Sequence, residues 1–353
     1  MRALFYSHDR GGGNLLIRVA ENLVRKGKVC LYLGHGPSAY IWKDFGVNGQ
    51  ILSEDRLERN LRRQIRKFRP NVIVTGTSIF SYGEQQIWNI ARALNIPSLA
   101  LVDGWVKIRE RFLSRNSRLV TPDRFGVVDS DTKRLLAKTC NVNPSRIGII
   151  GHPHLEEVSI NLLRARSIRC RQNIPTIAFF STPIENNEAE PGINTARSLL
   201  TALQSDKPLR ILFKPHPREN INPWRRWIED AQLSGQLENI EVSLVSERSA
   251  FDILSHIDVA IGLPTSVLFE AAFSGIPTIV IEPEWWPIKN VAIVRYLSAN
   301  ILRDIDSVSQ EISSLLEGGR HRGTSINMKL FENSNNLAAR MILNSKRHHL
   351  KLR

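Results

Sequence analysis

The tetrapeptide Lys214-Pro215-His216-Pro217 sets a cation and an imidazole between two prolines, directly after the apolar run RILF. Each X-Pro bond keeps the residue before it extended, so Lys214 and His216 are held out of helical geometry at a strand's exit. That is a rigid mount for groups that donate hydrogen bonds to an anion or neutralise it. A companion stretch, GLPTSVLFEAAFSGIP (262–277), ends a strand at Gly262-Leu263-Pro264 and caps a helix with Thr265 or Ser266. The helix stops at Gly275, before Pro277. Free N–H groups, the positive end of the helix dipole and two adjacent hydroxyls suit this turn to a phosphate. Glu270 follows Ser266 by one turn on the same face, placed to accept hydrogen bonds from ribose hydroxyls.

The amino-terminal half holds other candidates. In SHDRGGGN, Gly11, Gly12 and Gly13 form a loop that lets backbone approach a ligand, although the spacing is not G-x-G-x-x-G. It reads as an acceptor or phosphate loop, with His8 and Asp9 as candidate general bases. Asp103, in LVDGW, stands at the carboxyl end of a strand beside Gly104 and is the leading candidate for a base that activates an acceptor. Lys107, Arg109 and Arg111 in VKIRERF suit an anionic acceptor or the solvated face of a helix. The DSD at 129–131 sits where a helix begins and reads as a cap, so no metal site is expected.

These residues need elements to carry them. RALFYS, a glycine loop, NLLIRVAENLVRKG and KVCLYLG make a parallel βαβ unit, continued by the strands in PNVIVTGT, IPSLALVDGW, DRFGVVDS and SRIGIIGHP. A second series, PTIAFFSTP, LRILFKPHP, IEVSLVS, DVAIGLP and PTIVIEPE, alternates with helices near 190–204, 223–234, 249–256 and 266–274. Continuous apolar strands between helices predict sheets covered on both faces. The expected fold is α/β, with two doubly wound Rossmann-like domains whose carboxyl-end loops face each other across a cleft. The expected boundaries are 1–153 for the first domain, 154–174 for a linker helix, 175–325 for the second domain and 326–353 for a final helix and basic tail. That final helix closes the second domain or crosses back onto the first.

With 353 residues, two domains are the natural division. No apolar run is long enough to span a bilayer and no signal peptide is apparent, so a cytoplasmic protein is expected. Cys30, Cys140 and Cys170 are scattered and suggest neither disulfides nor zinc. The balance of 48 basic to 34 acidic residues, a net charge of +14, favours an anionic partner, and peripheral attachment to the inner face of an anionic membrane would suit it. No basic stripe interleaved with aromatics occurs, so no specific nucleic-acid partner is expected. In RLERNLRRQIRKFRP (56–70), Leu57, Leu61, Ile65 and Phe68 share one helical face, leaving the arginines as its solvated side.

Lys214-Pro215-His216-Pro217, Pro264-Thr265-Ser266, Glu270 and Gly275-Ile276-Pro277 together resemble the donor domain of GT-B-fold glycosyltransferases. They are most similar to bacterial capsule-type sialyl- and polysialyltransferases and the related glycerophosphotransferases. The resemblance covers 175–285 by motif and the first half by fold pattern. It implies a GT-B architecture and a metal-independent, inverting transfer of sugar, with no cofactor beyond a nucleotide-sugar co-substrate, CMP- or CDP-linked. The acceptor would be a hydroxyl of a glycan or lipid-linked sugar, as in polysaccharide biosynthesis. Lys214, His216, Pro264, Thr265 and Ser266 would meet the donor phosphate, Glu270 the ribose, and Asp103, Asp9 or His8 would be the base. Asp103-Gly104 resembles half of the family's acidic-acidic-glycine signature, Val102 standing at the first acidic position. Two alternatives remain: a nonhydrolysing UDP-sugar 2-epimerase of the same fold, and a noncatalytic polyanion-binding protein.

Overall fold

The computed structural model describes residues 1–168, 174–183, 189–203, 207–233, 237, 239–283, 286, 296–297, 301–317 and 331–349, with side chains up to Ser345. The chain divides into two compact units, Met1–Glu157 with Lys329–Arg353, and Val158–Met328. The passage between them falls inside the helix Pro153–Ser167.

The first unit is built on seven parallel strands: β1 (Arg2–Ser7), β2 (Val29–His35), β3 (Asn48–Leu52), β4 (Val72–Thr75), β5 (Ser98–Leu101), β6 (Arg124–Val127) and β7 (Ile147–Ile149). Their order is β3-β2-β1-β4-β5-β6-β7. Side-chain alternation along β1 separates two cores. Ala3 and Phe5 face the helix Arg10–Arg25 (α1), while Leu4 and Tyr6 pack with Leu61 and Ile65 of the helix Leu57–Phe68 (α2) and Trp88 of the helix Gly83–Ala93 (α3). The closing helix Ser334–His349 lies on the α1 side, burying Ala338, Ala339 and Ile342. It therefore belongs to the first unit. Leu57, Leu61 and Ile65 of α2 are buried as their spacing predicts, and Asp129 caps the helix Ser130–Thr139 (α4) by accepting from Thr132 N at 2.7 Å. Cys30 and Cys140 are buried free thiols; Cys170 and the tail beyond His349 lie outside the described residues.

The second unit repeats the plan with six strands: β8 (Thr176–Phe180), β9 (Leu209–Lys214), β10 (Ile240–Leu244), β11 (Val259–Gly262), β12 (Thr278–Ile281) and β13 (Ile301–Leu302). The order is β10-β9-β8-β11-β12-β13, again all parallel. Phe179, Phe213, Trp224 and Trp227 form an aromatic cluster beneath the β9 exit. In each sheet the chain leaves in opposite directions on either side of one strand gap, β1/β4 in the first and β8/β11 in the second. Such a switch point opens a crevice at the carboxyl ends of the strands, and the candidate residues stand at the exits of β1, β5, β9 and β11.

Two expectations are corrected. Gly11, Gly12 and Gly13 are not a loop: α1 begins at Arg10 and takes them into its first turn. Close approach outweighs the poor helix propensity of glycine, because a Cβ on Gly12 would sit 3.3 Å from Cα of Gly76 at the β4 exit. The segment after Trp105 is not a regular helix either. Lys107 has φ +50°, and only Glu110–Phe112 form a short 3-10 turn. Among the described residues no helix is long and apolar enough to cross a membrane.

Candidate active site

In the second unit, three strand exits are tied into one edge. Glu219, buried just beyond the two prolines, accepts the main-chain N–H of His216 at 2.7 Å through Oε2 and the hydroxyl of Ser181 at 2.7 Å through Oε1. Ser181 leaves β8, and its neighbour Thr182 donates to the carbonyl of Pro264 at 3.4 Å, at the exit of β11. The β8 exit thus joins the His216 loop to the Pro264-Thr265-Ser266 turn. Pro264 serves through its carbonyl and is buried.

The imidazole of His216 is half-buried and its tautomer is set locally: Nδ1 accepts the N–H of Arg218 at 3.2 Å, leaving the proton on Nε2. Burial, with the charges of Arg218 and Lys214 beside it, pushes His216 down to about 4. At neutral pH it is an uncharged N–H donor. Lys214 donates to the carbonyl of Ser246, and burial lowers its pKa too. Thr265 is the extended N-cap residue of the helix Ser266–Phe273, and its side chain makes no capping bond. Ser266 is exposed at the same turn, and Glu270 stands one turn further along, half-buried.

The first unit gathers its candidates around the β1/β4 gap. His8 Nδ1 and Asp9 Oδ1 are 2.7 Å apart, and Ser78 Oγ, from the β4 exit, donates to the same Asp9 oxygen at 2.8 Å. The hydrogen bond that His8 Nδ1 donates to Asp9 raises the pKa of His8. This is a carboxylate-oriented imidazole whose Nε2 is the basic atom. Asp103 is held differently: its Oδ1 accepts Arg111 Nη1 at 2.8 Å and Thr77 Oγ1 at 3.4 Å, while Oδ2 would lie 2.4 Å from a Cβ on Gly11. Arg109, expected to face an acceptor, is exposed, and Arg111 is the inward guanidinium. Without a helix across this segment, residue spacing carried no information about which arginine turns inward.

Residues that sequence reasoning missed hold the others in place. They are Ser181, Thr182 and Glu219 in the second unit, and Ser78, Glu84 and His152 in the first. His152 is fully fixed, its Nε2 donating to the Asp103 carbonyl at 3.2 Å and its Nδ1 accepting from Leu155 N at 3.2 Å. Burial drives its pKa to about 3. Both His152 and His216 therefore bind a proton less readily in the folded state than in the unfolded chain. Their contribution to stability is expected to fall as pH drops from about 6.5 towards 4, because the unfolded chain takes up protons in that window that these two rings do not. The denaturant midpoint of His152→Gln should therefore gain on that of the wild type as pH drops across it.

No family profile and no curated protein sequence matches the chain. Solved structures do. UDP-GlcNAc 2-epimerase from Methanocaldococcus jannaschii superposes with a TM-score of 0.70 at 12% identity, covering 97% of this chain and 99% of that one. The epimerase from Neisseria meningitidis, bound to UDP-GlcNAc, gives 0.70 at 12% identity over 99% and 100%. MurG from Acinetobacter baumannii gives 0.55 at 12% identity over 99% and 98%. The chain therefore has a fold of the GT-B class, two parallel-sheet Rossmann-like domains. These likenesses speak for that class and not for the capsule-type sialyl- and polysialyltransferases within it.

Proposed function

We propose that the protein is a glycosyltransferase using a nucleotide-activated sugar, with the second domain binding the donor and the first supplying the base. The observation that carries this reading is the second-domain edge, where a neutral His216 with its proton on Nε2 is tied through Glu219, Ser181 and Thr182 to the Thr265-Ser266 helix start. Together with Lys214 these groups are donors suited to a phosphate, and Glu270 is an acceptor suited to a ribose. In the reaction, His8 Nε2 takes the proton of the acceptor hydroxyl, whose oxygen forms the new bond to the anomeric carbon. The anomeric C–O bond to phosphate breaks, its electron pair leaving with the nucleotide. His216 and the Thr265-Ser266 turn stabilise that charge as it develops. His8 is preferred over Asp103 as the base because Asp103 is engaged by Arg111. Lys107, Arg109 and the net positive charge suit an anionic acceptor or an anionic membrane surface carrying it.

A second reading, a 2-epimerase of a UDP-sugar, is favoured by the TM-scores and by three carboxyl groups at the first-domain edge, Asp9, Glu84 and Asp103. Incubation with CMP-, CDP- and UDP-linked sugars, with and without hydroxyl acceptors, tests both. Transfer is expected to release nucleotide only when acceptor is present. An epimerised sugar nucleotide formed without acceptor would replace the first reading by the second.

A further inference from the structure

Glu84 lies in the first turn of α3 with no exposed surface, directly behind the proposed base. Its Oε1 accepts the main-chain N–H of His8 at 3.1 Å, while its Oε2, equally buried, has no hydrogen-bond partner. A carboxylate buried with one oxygen unpaired costs free energy unless it is neutralised or paired. It is therefore a poor choice as mere filling.

We propose that Glu84 is a positioning residue for the His8–Asp9 pair, fixing the His8 main chain through Oε1 and setting the basicity of the imidazole through its own state of charge. The role rests on the reading of His8 as the base. Burial pushes Glu84 up to about 7, with the charge of Asp9 acting in the same direction, so the carboxyl changes charge in the neutral range. The titratable groups facing it are Asp9 and His8 at the β1 exit, Tyr6 within β1, and Tyr32 of β2. On the far side of His8 stands His35, whose ring centroid is 5.0 Å away and whose Nε2 is 2.7 Å from Glu54. When Glu84 ionises it becomes a second negative charge behind His8, and the imidazolium is favoured. When Glu84 is protonated, Asp9 and, more weakly, Glu54 remain to do so.

The test follows the His8 ring resonance by NMR in the full chain, assigned by its loss in His8→Gln. In the wild type the resonance is expected to titrate in two steps, the second marking Glu84; a single-step curve would overturn the proposal. Glu84→Gln keeps an oxygen for the His8 N–H but carries no charge, and is expected to lower the His8 midpoint by about one pH unit. Glu84→Asp, which keeps the charge, is expected to lower it less. A midpoint unmoved by Glu84→Gln would leave Glu84 a structural acceptor only. These readings need no substrate, so they stand or fall apart from the transferase assignment. In turnover, the acidic limb of the kcat/KM profile should move to lower pH in Glu84→Gln, and a limb that stays in place would count against the role.

Discussion

Replacing His216 by alanine is expected to lower turnover of a nucleotide sugar by about a hundredfold to a thousandfold, the usual loss when one fixed donor to a developing negative charge is removed. The rise in melting temperature caused by the matching free nucleotide should shrink as well, because ligand binding to the native state is what produces that rise. His216 is uncharged near neutrality and its donor atom is fixed by the Arg218 N–H. The loss is therefore expected to be nearly independent of pH between 6 and 8, roughly the range in which an imidazole of such low basicity stays neutral. Melting curves with CMP, CDP and UDP and initial rates for wild type and variant measure it. Unchanged binding and turnover would remove His216 from the site and the donor assignment with it.

Gly262→Ala should be the most damaging substitution for stability at this edge. Gly262 pairs with Phe180 across β11 and β8, and a Cβ there would lie 2.1 Å from the Phe180 carbonyl oxygen and 2.9 Å from its carbonyl carbon and nitrogen. The obstructing atoms are backbone, so no side-chain rotation relieves the clash, and the strands must separate. A loss of about 3 kcal/mol or more is expected, a fall in melting temperature of roughly 10 °C. The same displacement would pull Pro264 away from Thr182 and shift the Thr265-Ser266 turn. Calorimetry with and without nucleotide checks both effects. A variant that melts like the wild type would show that the sheet yields at this point.

The central strands were readable because burial on both faces writes itself as an unbroken apolar run, as in RALFY, NVIV and RILF. Strands β3 and β13 were not, since both lie at sheet edges: NGQIL is largely polar and Ile301–Leu302 is only two residues long. The helix Ile305–Leu316 was also passed over, although Asp304 caps it and Val308 and Ile312 face inward at helical spacing. Within the candidate site, proline and glycine punctuation marked His216 and Thr265-Ser266. Ser181, Thr182 and Glu219 carried no local mark, because their importance comes from hydrogen bonds between strand exits distant in sequence. Glu84 looked like any acidic residue in a first helical turn. Only the packing of α3 beneath the β1 exit makes it buried and gives it His8 as a neighbour.

The return of the closing helix to the first unit sets an order for biosynthesis. The face of α1 that receives Ala338, Ala339 and Ile342 stays uncovered until those residues have left the ribosome. The bonds from His152 N to Ser334 Oγ and from Asn335 N to Glu156 must wait equally long. The second domain, by contrast, is contiguous from Val158 to Met328 and can complete its sheet earlier. The amino-terminal domain, first to be synthesised, is thus the last to close. A premature stop near residue 330 would release a protein whose unfinished, aggregation-prone surface belongs to its beginning.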